Sequence, residues 1–278
     1  MIKVGHQGVK GAFSYITTKQ LYPDAEILSF NTFFDVLQAV EDGKIEYGII
    51  PMENSYAGRV ADVYNIFKKT KLFIVGEKLT KIEHNLAGIQ NSKIEDITHI
   101  FSHEQALRQC ENTLKKITPN AKLIAKENTA VSAQYIAKEN NNHYGAICSL
   151  EAIQENNLKI LKSNVQDMKN NCTLFIVFAK KPIDIDINIQ NVLTSMMFEI
   201  KNKPGSLYKS IGCFAKNNID LIKIESYIPN AFDSDNAMFF ITTNGNIKDE
   251  RHKKALQELK FYTNDIHIFG SYLKNRNV

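Results

Sequence analysis

The sequence has no apolar run approaching the roughly 20 residues needed to cross a bilayer, so no helical membrane span is expected. Its opening, MIKVGHQGVKGAFS, lacks the apolar core of a secretory signal, and the expected location is the cytoplasm. Cysteine is scarce. Cys110, Cys148, Cys172 and Cys213 form neither a C-x-x-C pair nor a Cys/His cluster, which argues against a zinc site and against a disulfide framework. Cys110 falls on the helically spaced stripe Ala106, Cys110, Leu114, Ile117 and reads as a small core residue. Arginine is equally scarce, which is unusual for a basic chain, at Arg59, Arg108, Arg251 and Arg276 alone. The net charge of +4 is therefore carried by lysines, and these are scattered without aromatic interleaving. Neither a nucleic-acid partner nor a membrane partner is expected. A mild positive balance suits a small anionic substrate, and it also suits an ordinary solvated surface.

What is present is a globular composition, 44% apolar and 23% charged over 278 residues, enough for one large domain or two modest ones. Up to residue 180 short apolar runs alternate with amphipathic stretches. IKVGH, AEILSF and YGIIP read as strands, with helices in GAFSYITTKQL and TFFDVLQAVEDG between them. Thr32 and Asp35 are spaced as a capping box, and Gly43 is the stop. LFIVGEKL, HNLAGI, THIFS, AKLIA, YGAICS and CTLFIVFA are further strands. EQALRQCENTLKKI, TAVSAQYIAKEN and LEAIQENN are helices. This βαβα order favours parallel sheets covered by helices, and the strands are too many for one small sheet. Two α/β lobes facing a cleft accommodate them. Residues 181–191 break the pattern with Pro182 and alternating Asp and Ile, as a linker or edge segment. Residues 192–278 then read βαββαβ, a ferredoxin-like unit.

Four polar clusters stand where strands end. GHQGVKGAFS can bring backbone N–H groups to an anion at a helix start, or be a plain tight turn. PMENSYAGRV places Glu53, Asn54 and Ser55 directly after a buried strand, for ligand contact or for an Asx-type turn that satisfies its own backbone. SHEQALRQC has Ser102 in position to N-cap a helix, while His103 reads as incidental and Gln109 as surface. NNCTLF sets Thr173 at the open end of an apolar strand.

In this order the clusters resemble the prephenate dehydratase family. GHQGVKGAFS is similar to its Gln-Gly-x-x-Gly-Ala-x-Ser turn, and IIPMENSYAGRV to its Pro-x-Glu-Asn-Ser-x-x-Gly-x-Val signature. FIVGEKLTKIEHNLAG resembles the segment leading into the second lobe, and FSHEQALRQC the Ser-His-x-Gln-Ala-Leu-x-Gln-Cys helix start. NNCTLF is similar to Asn-x-Thr-Arg-Phe, with Leu174 in the arginine's place. Downstream, KNKPGSLYKSI and IDLIKIESYIP resemble the Gly-Ala-Leu and Glu-Ser-Arg-Pro segments of a regulatory ACT domain.

The resemblance implies a monofunctional enzyme of class α/β: a two-lobed, periplasmic-binding-protein-like dehydratase domain over residues 1–180, then a ferredoxin-like ACT domain over 192–278. Lobe one would span about 1–78 and 160–180, and lobe two about 79–159. The implied reaction turns prephenate into phenylpyruvate, water and CO2 in phenylalanine biosynthesis, with neither metal nor organic cofactor. Arogenate is the alternative substrate. A non-catalytic amino-acid sensor is a further alternative, because of Leu174. Thr173 carries over as the catalytic hydroxyl, with Glu53, Asn54, Ser55, Ser102 and Gln109 as substrate contacts. Arg59 is a candidate to supply the charge that Leu174 lacks. Gly205, Ser206, Leu207, Asp220, Glu225 and Ser226 map onto an allosteric phenylalanine pocket. Asp220 replaces a usual asparagine there, and Tyr227 and Ile228 replace Arg-Pro. ACT pairing implies a homodimer or homotetramer.

Overall fold

A computed structural model describes residues 1–60, 63, 66, 67, 70–227 and 235–276. Ile228 and Pro229 of the ESYIP segment lie outside these. The first lobe is a sheet in the order Glu26–Phe30, Lys3–Gln7, Tyr47–Asn54, Cys172–Ala179, Phe73–Lys81. Lys3–Gln7 runs parallel to both its neighbours. Parallel strands need crossovers, and the helices Phe13–Leu21 and Phe33–Glu41 provide them. The second helix starts with the expected capping box: Thr32 Oγ1 accepts from the Asp35 N–H, and the Asp35 carboxylate accepts from the Thr32 N–H. Cys172–Ala179 returns late in the chain and inserts antiparallel between Tyr47–Asn54 and Phe73–Lys81.

The second lobe is a sheet in the order Lys159–Lys162, Asn85–Gly88, Tyr144–Cys148, His99–His103, Lys122–Lys126. The chain thus crosses between lobes twice, after Lys81 and again between Lys162 and Cys172. Lys159–Lys162 pairs antiparallel with Asn85–Gly88, so the return falls after Lys162 rather than at about residue 160. Most of this edge strand is exposed, so it lacks the apolar signature of its neighbours. A second departure concerns EQALRQCENTLKKI, which is two helices, Glu104–Gln109 and Glu111–Ile117, divided at Cys110. The Asp167 carboxylate accepts from the N–H groups of Asn112 and Thr113, giving the second helix its own start. Ala106, Cys110 and Leu114 still share one buried cluster, and burial pushes the Cys110 thiol pKa up.

The C-terminal unit is a sheet in the order Leu221–Tyr227, Asn236–Asn244, Val192–Lys201, Asp265–Leu273, with the helices Ser206–Lys216 and Glu250–Leu259. This is the ferredoxin-like βαββαβ arrangement. Residues 181–191 contain neither helix nor strand. Val192–Lys201 alternates by face: Met196, Phe198 and Ile200 pack within the unit, while Leu193 and Met197 pack into the first lobe. Phe240 and Phe269 join them about Phe67, the first stacked and the second tilted, with ring centroids 5.0 and 5.1 Å away. Each buried phenylalanine is worth about 1.5–3 kcal/mol, so a common core, more than the linker, holds this unit to the first lobe. Among the described residues no helix is long and apolar enough to cross a membrane.

Candidate active site

The two faces of Cys172–Ala179 have separate destinations. Phe175 and Val177 pack with Val4 and Ile49 on the face carrying Phe13, whereas Ile176 and Phe178 enter the core held in common with the C-terminal unit. Strand alternation therefore sends Thr173 to the first face and Leu174 to the second. The register agrees, with Thr173 opposite Asn54 and Thr80, and Leu174 opposite Glu53 and Leu79. An arginine in the place of Leu174 would project from the side of the sheet away from Thr173.

Around Thr173 the two lobes meet in a chain of neutral polar groups. The Asn54 Nδ2 donates to Thr173 Oγ1 at 3.0 Å, to Asn171 Oδ1 at 2.9 Å and to the Cys172 carbonyl at 3.1 Å. Asn171 Nδ2 donates to Gln109 Oε1 at 2.9 Å, and the same oxygen lies 2.9 Å from His84 Nε2. Gln109 Nε2 reaches Asn54 Oδ1 at 3.4 Å. Thr173 and Asn54 are each 8% exposed, and Gln109, His84 and Asn171 less. Burial pushes the His84 pKa down to about 4, against the opposing hydrogen bond to Gln109, so the ring is neutral at physiological pH.

Backbone groups decide the polarity of this chain. Asn54 Oδ1 accepts from the N–H groups of Tyr56 and Ala57, so its amide nitrogen must face Thr173. The Asx-type turn expected as one alternative for this segment is present, and it fixes which end of the Asn54 amide faces Thr173. Thr173 Oγ1 accepts from Asn54, and among the described residues nothing accepts its proton. The nearby Thr80 hydroxyl is engaged with Thr17, 2.8 Å away. Thr173 thus keeps a free hydroxyl proton on an oxygen that a donor already polarises.

Of the residues singled out from sequence, Thr173, Asn54 and Gln109 come together here. Gln109 is buried, not surface, because the helix break at Cys110 follows it directly and its amide turns between the lobes. Ser55 flanks the site, bonded to the Asn170 carbonyl and the Cys172 N–H. Ser102 does not cap a helix. It is the penultimate residue of the strand His99–His103, fully buried, and its hydroxyl donates to the Ile147 carbonyl at 2.7 Å. The strand runs one residue further than expected, and His103 is the cap, accepting from the Gln105 N–H. Glu53 and Arg59 lie apart from the network, meeting Lys223 and the Ser226 carbonyl of the C-terminal unit. His84 and Asn171 also belong to the network, although neither is a site residue expected from the sequence; Asn171 stands in NNCTLF and His84 at the first crossing between lobes.

The GHQGVKGAFS turn is a lobe contact. Gly11 has φ of +86°, and a Cβ there would come within 2.8 Å of the Ala152 backbone. Its carbonyl accepts from Ser149 Oγ at 2.6 Å. A cavity of about 540 Å3 between the lobes is lined by Phe13, Thr80, Asn85 and Ser149, among others. Phe13 also packs edge-on to His84, placing that cavity beside the network. Among the described residues no cluster of His, Cys, Asp and Glu is placed to hold a metal ion.

The family model described as Prephenate dehydratase matches residues 4–183. The chain is 32% identical to arogenate dehydratase 2 of Petunia hybrida, over 98% of this chain and 71% of that protein. It is 35% identical to the bifunctional chorismate mutase/prephenate dehydratase of Aquifex aeolicus, over 98% and 74%. A solved structure described as a novel type of quorum quenching acylase superposes with a TM-score of 0.89 at 29% identity, covering 98% of each chain.

Proposed function

This chain belongs to the prephenate dehydratase family, and from that premise we propose that it dehydrates prephenate to phenylpyruvate, releasing water and CO2. The observation that carries the reading is the Thr173 hydroxyl, held by Asn54 with its proton free. In the reaction the bond to the ring carboxylate breaks and its electrons enter the ring. CO2 departs as the opposite C–O bond breaks and its electron pair leaves on the oxygen as hydroxide, which takes a proton from solvent to become water, while Thr173 keeps its own proton. Aromatisation supplies much of the driving force, so no strong acid is required. The Thr173 proton stabilises charge growing on the departing oxygen, and the Asn54 N–H strengthens that donor.

Arogenate differs from prephenate only in an amine replacing the side-chain ketone, remote from the departing hydroxyl. Acyl transfer is less well supported. A threonine nucleophile needs an adjacent base, and the partner of Thr173 is an amide nitrogen that already donates. The test is to supply prephenate, arogenate and an N-acyl homoserine lactone separately. The expected result is phenylpyruvate from prephenate. Phenylalanine formed from arogenate alone would reassign the substrate, and turnover of the lactone alone would overturn dehydration.

The C-terminal unit is read as an ACT domain that binds phenylalanine and inhibits the enzyme. Gly205, with φ of +81°, starts the helix Ser206–Lys216, and Leu207 packs within the unit. Asp220 accepts from the side-chain amide of Asn244. Five residues along a strand span roughly 16 Å. Asp220 and Glu225 therefore cannot both grip one small ligand from the same copy, which supports a pocket between two copies in a homodimer or homotetramer. Lys223 is the connection to the catalytic side. It pairs with Glu53, next in sequence to Asn54, and lies 3.4 Å from Glu225. Lys223→Ala is expected to weaken phenylalanine inhibition roughly 5- to 150-fold, the range of typical site-to-site coupling, while uninhibited turnover persists. Inhibition curves for the two proteins check this, and superimposable curves would reject the route.

A further inference from the structure

We infer that His84 is a positioning residue, holding the Gln109 and Asn171 amides in the one orientation that completes the site around Thr173. The inference rests on the dehydratase reading above. Its logic starts from groups whose hydrogens are not in question. The Tyr56 and Ala57 N–H groups fix Asn54 Oδ1, which turns Asn54 Nδ2 toward Asn171 Oδ1. Asn171 must then present Nδ2 to Gln109 Oε1. That oxygen is an acceptor, and His84 Nε2 stands 2.9 Å from it. Two facing lone pairs at this distance would repel, so Nε2 carries the ring proton.

The other ring nitrogen agrees. His84 Nδ1 is buried and has no partner among the described residues. A proton on Nδ1 would be an orphaned buried donor, whereas a bare lone pair there is the less costly state. Phe13 packs edge-on to the ring, with centroids 5.6 Å apart, and restricts its rotation. His84 thus supplies one directed N–H from the crossing between lobes. Without it the Gln109 amide loses one of its two donors and can turn over. Its NH2 would then face that of Asn171, and the row of amides reaching Asn54 would lose its order.

Long-range 1H–15N correlation spectra of the labelled full-length protein at neutral pH read the tautomer without any turnover, with His84→Gln locating the resonance. A neutral ring protonated at Nε2 is expected. A ring protonated at Nδ1, or doubly protonated, overturns the inference. His84→Leu should lower kcat by up to roughly 10²-fold, the scale of a small misplacement, with KM little changed. His84→Gln, which restores an N–H at the same reach, should recover most of that loss. Unchanged kcat in His84→Leu, or equal losses in a folded His84→Gln, also overturn it. Should His84→Leu not fold, the tautomer and the glutamine variant still decide. Failure of the wild-type protein to dehydrate either ring acid would sink the dehydratase reading instead, and leaves the tautomer result standing on its own.

Discussion

Thr173→Val is expected to lower kcat roughly 10²–10⁴-fold, the range for a positioned proton donor. Its thermal melt should stay close to that of the wild type. Valine keeps the branched shape of threonine in a strand, so the face occupied by Phe175 and Val177 need not repack. Asn54 Nδ2 loses one acceptor but retains Asn171 Oδ1 and the Cys172 carbonyl, so no buried donor is orphaned. The loss should therefore be confined to chemistry. Thr173→Ser, which keeps the hydroxyl, should retain most of the activity. Steady-state kinetics with circular-dichroism melts separate the outcomes. Undiminished turnover in the valine variant would remove Thr173 from the reaction, and a collapsed melt would make it a structural residue.

Arg276→Ala is expected to destabilise the protein by about 3 kcal/mol, the lower end of the cost of breaking a buried ion pair. The Glu77 side chain is only 1% exposed and sits on the strand Phe73–Lys81 of the first lobe. Arg276, beyond the last strand of the C-terminal unit, clasps both its oxygens at 2.8 and 3.2 Å. Removing the guanidinium leaves a carboxylate sealed without its cation. Arg276 is itself 29% exposed on its side chain, which moderates the effect. At about 2–4 °C per kcal/mol for large domains, the melting temperature should fall by roughly 6–12 °C. The double variant Arg276→Met with Glu77→Leu should recover most of the loss, since the penalty belongs to the orphaned charge. A single variant melting with the wild type would show that the clasp contributes nothing.

The readability of the fold followed burial. Phe33–Glu41 announces itself through the Thr32–Asp35 box, and Cys172–Ala179 through its apolar run, because one is locally capped and the other buried on both faces. Lys159–Lys162 was not readable, since an exposed edge strand needs no apolar pattern. The break at Cys110 was hidden for a different reason. Its second cap comes from Asp167, over fifty residues away.

Within the site, Thr173, Asn54 and Gln109 could be picked out because a hydroxyl and amides at strand and helix ends fit an ordered set of motifs. Ser102 does not form the expected cap, because the strand runs one residue further, which moves the cap to His103 and leaves Ser102 inside the strand with its hydroxyl on the Ile147 carbonyl. Asn171 and His84 lie inside motif-like segments, NNCTLF and FIVGEKLTKIEHNLAG, but nothing in either segment says that these two side chains meet Gln109. The sequence by itself determined the alternation of strands and helices, the two-unit order and which hydroxyl and amide residues stand at strand and helix ends. Those properties depend on spacings of a few residues, which a linear string records. Which side of the sheet Leu174 takes, which way each amide points and which lysine meets Glu53 were decided only in three dimensions. Hydrogen-bond polarity and ion pairing depend on groups brought within about 3 Å from far apart in the chain.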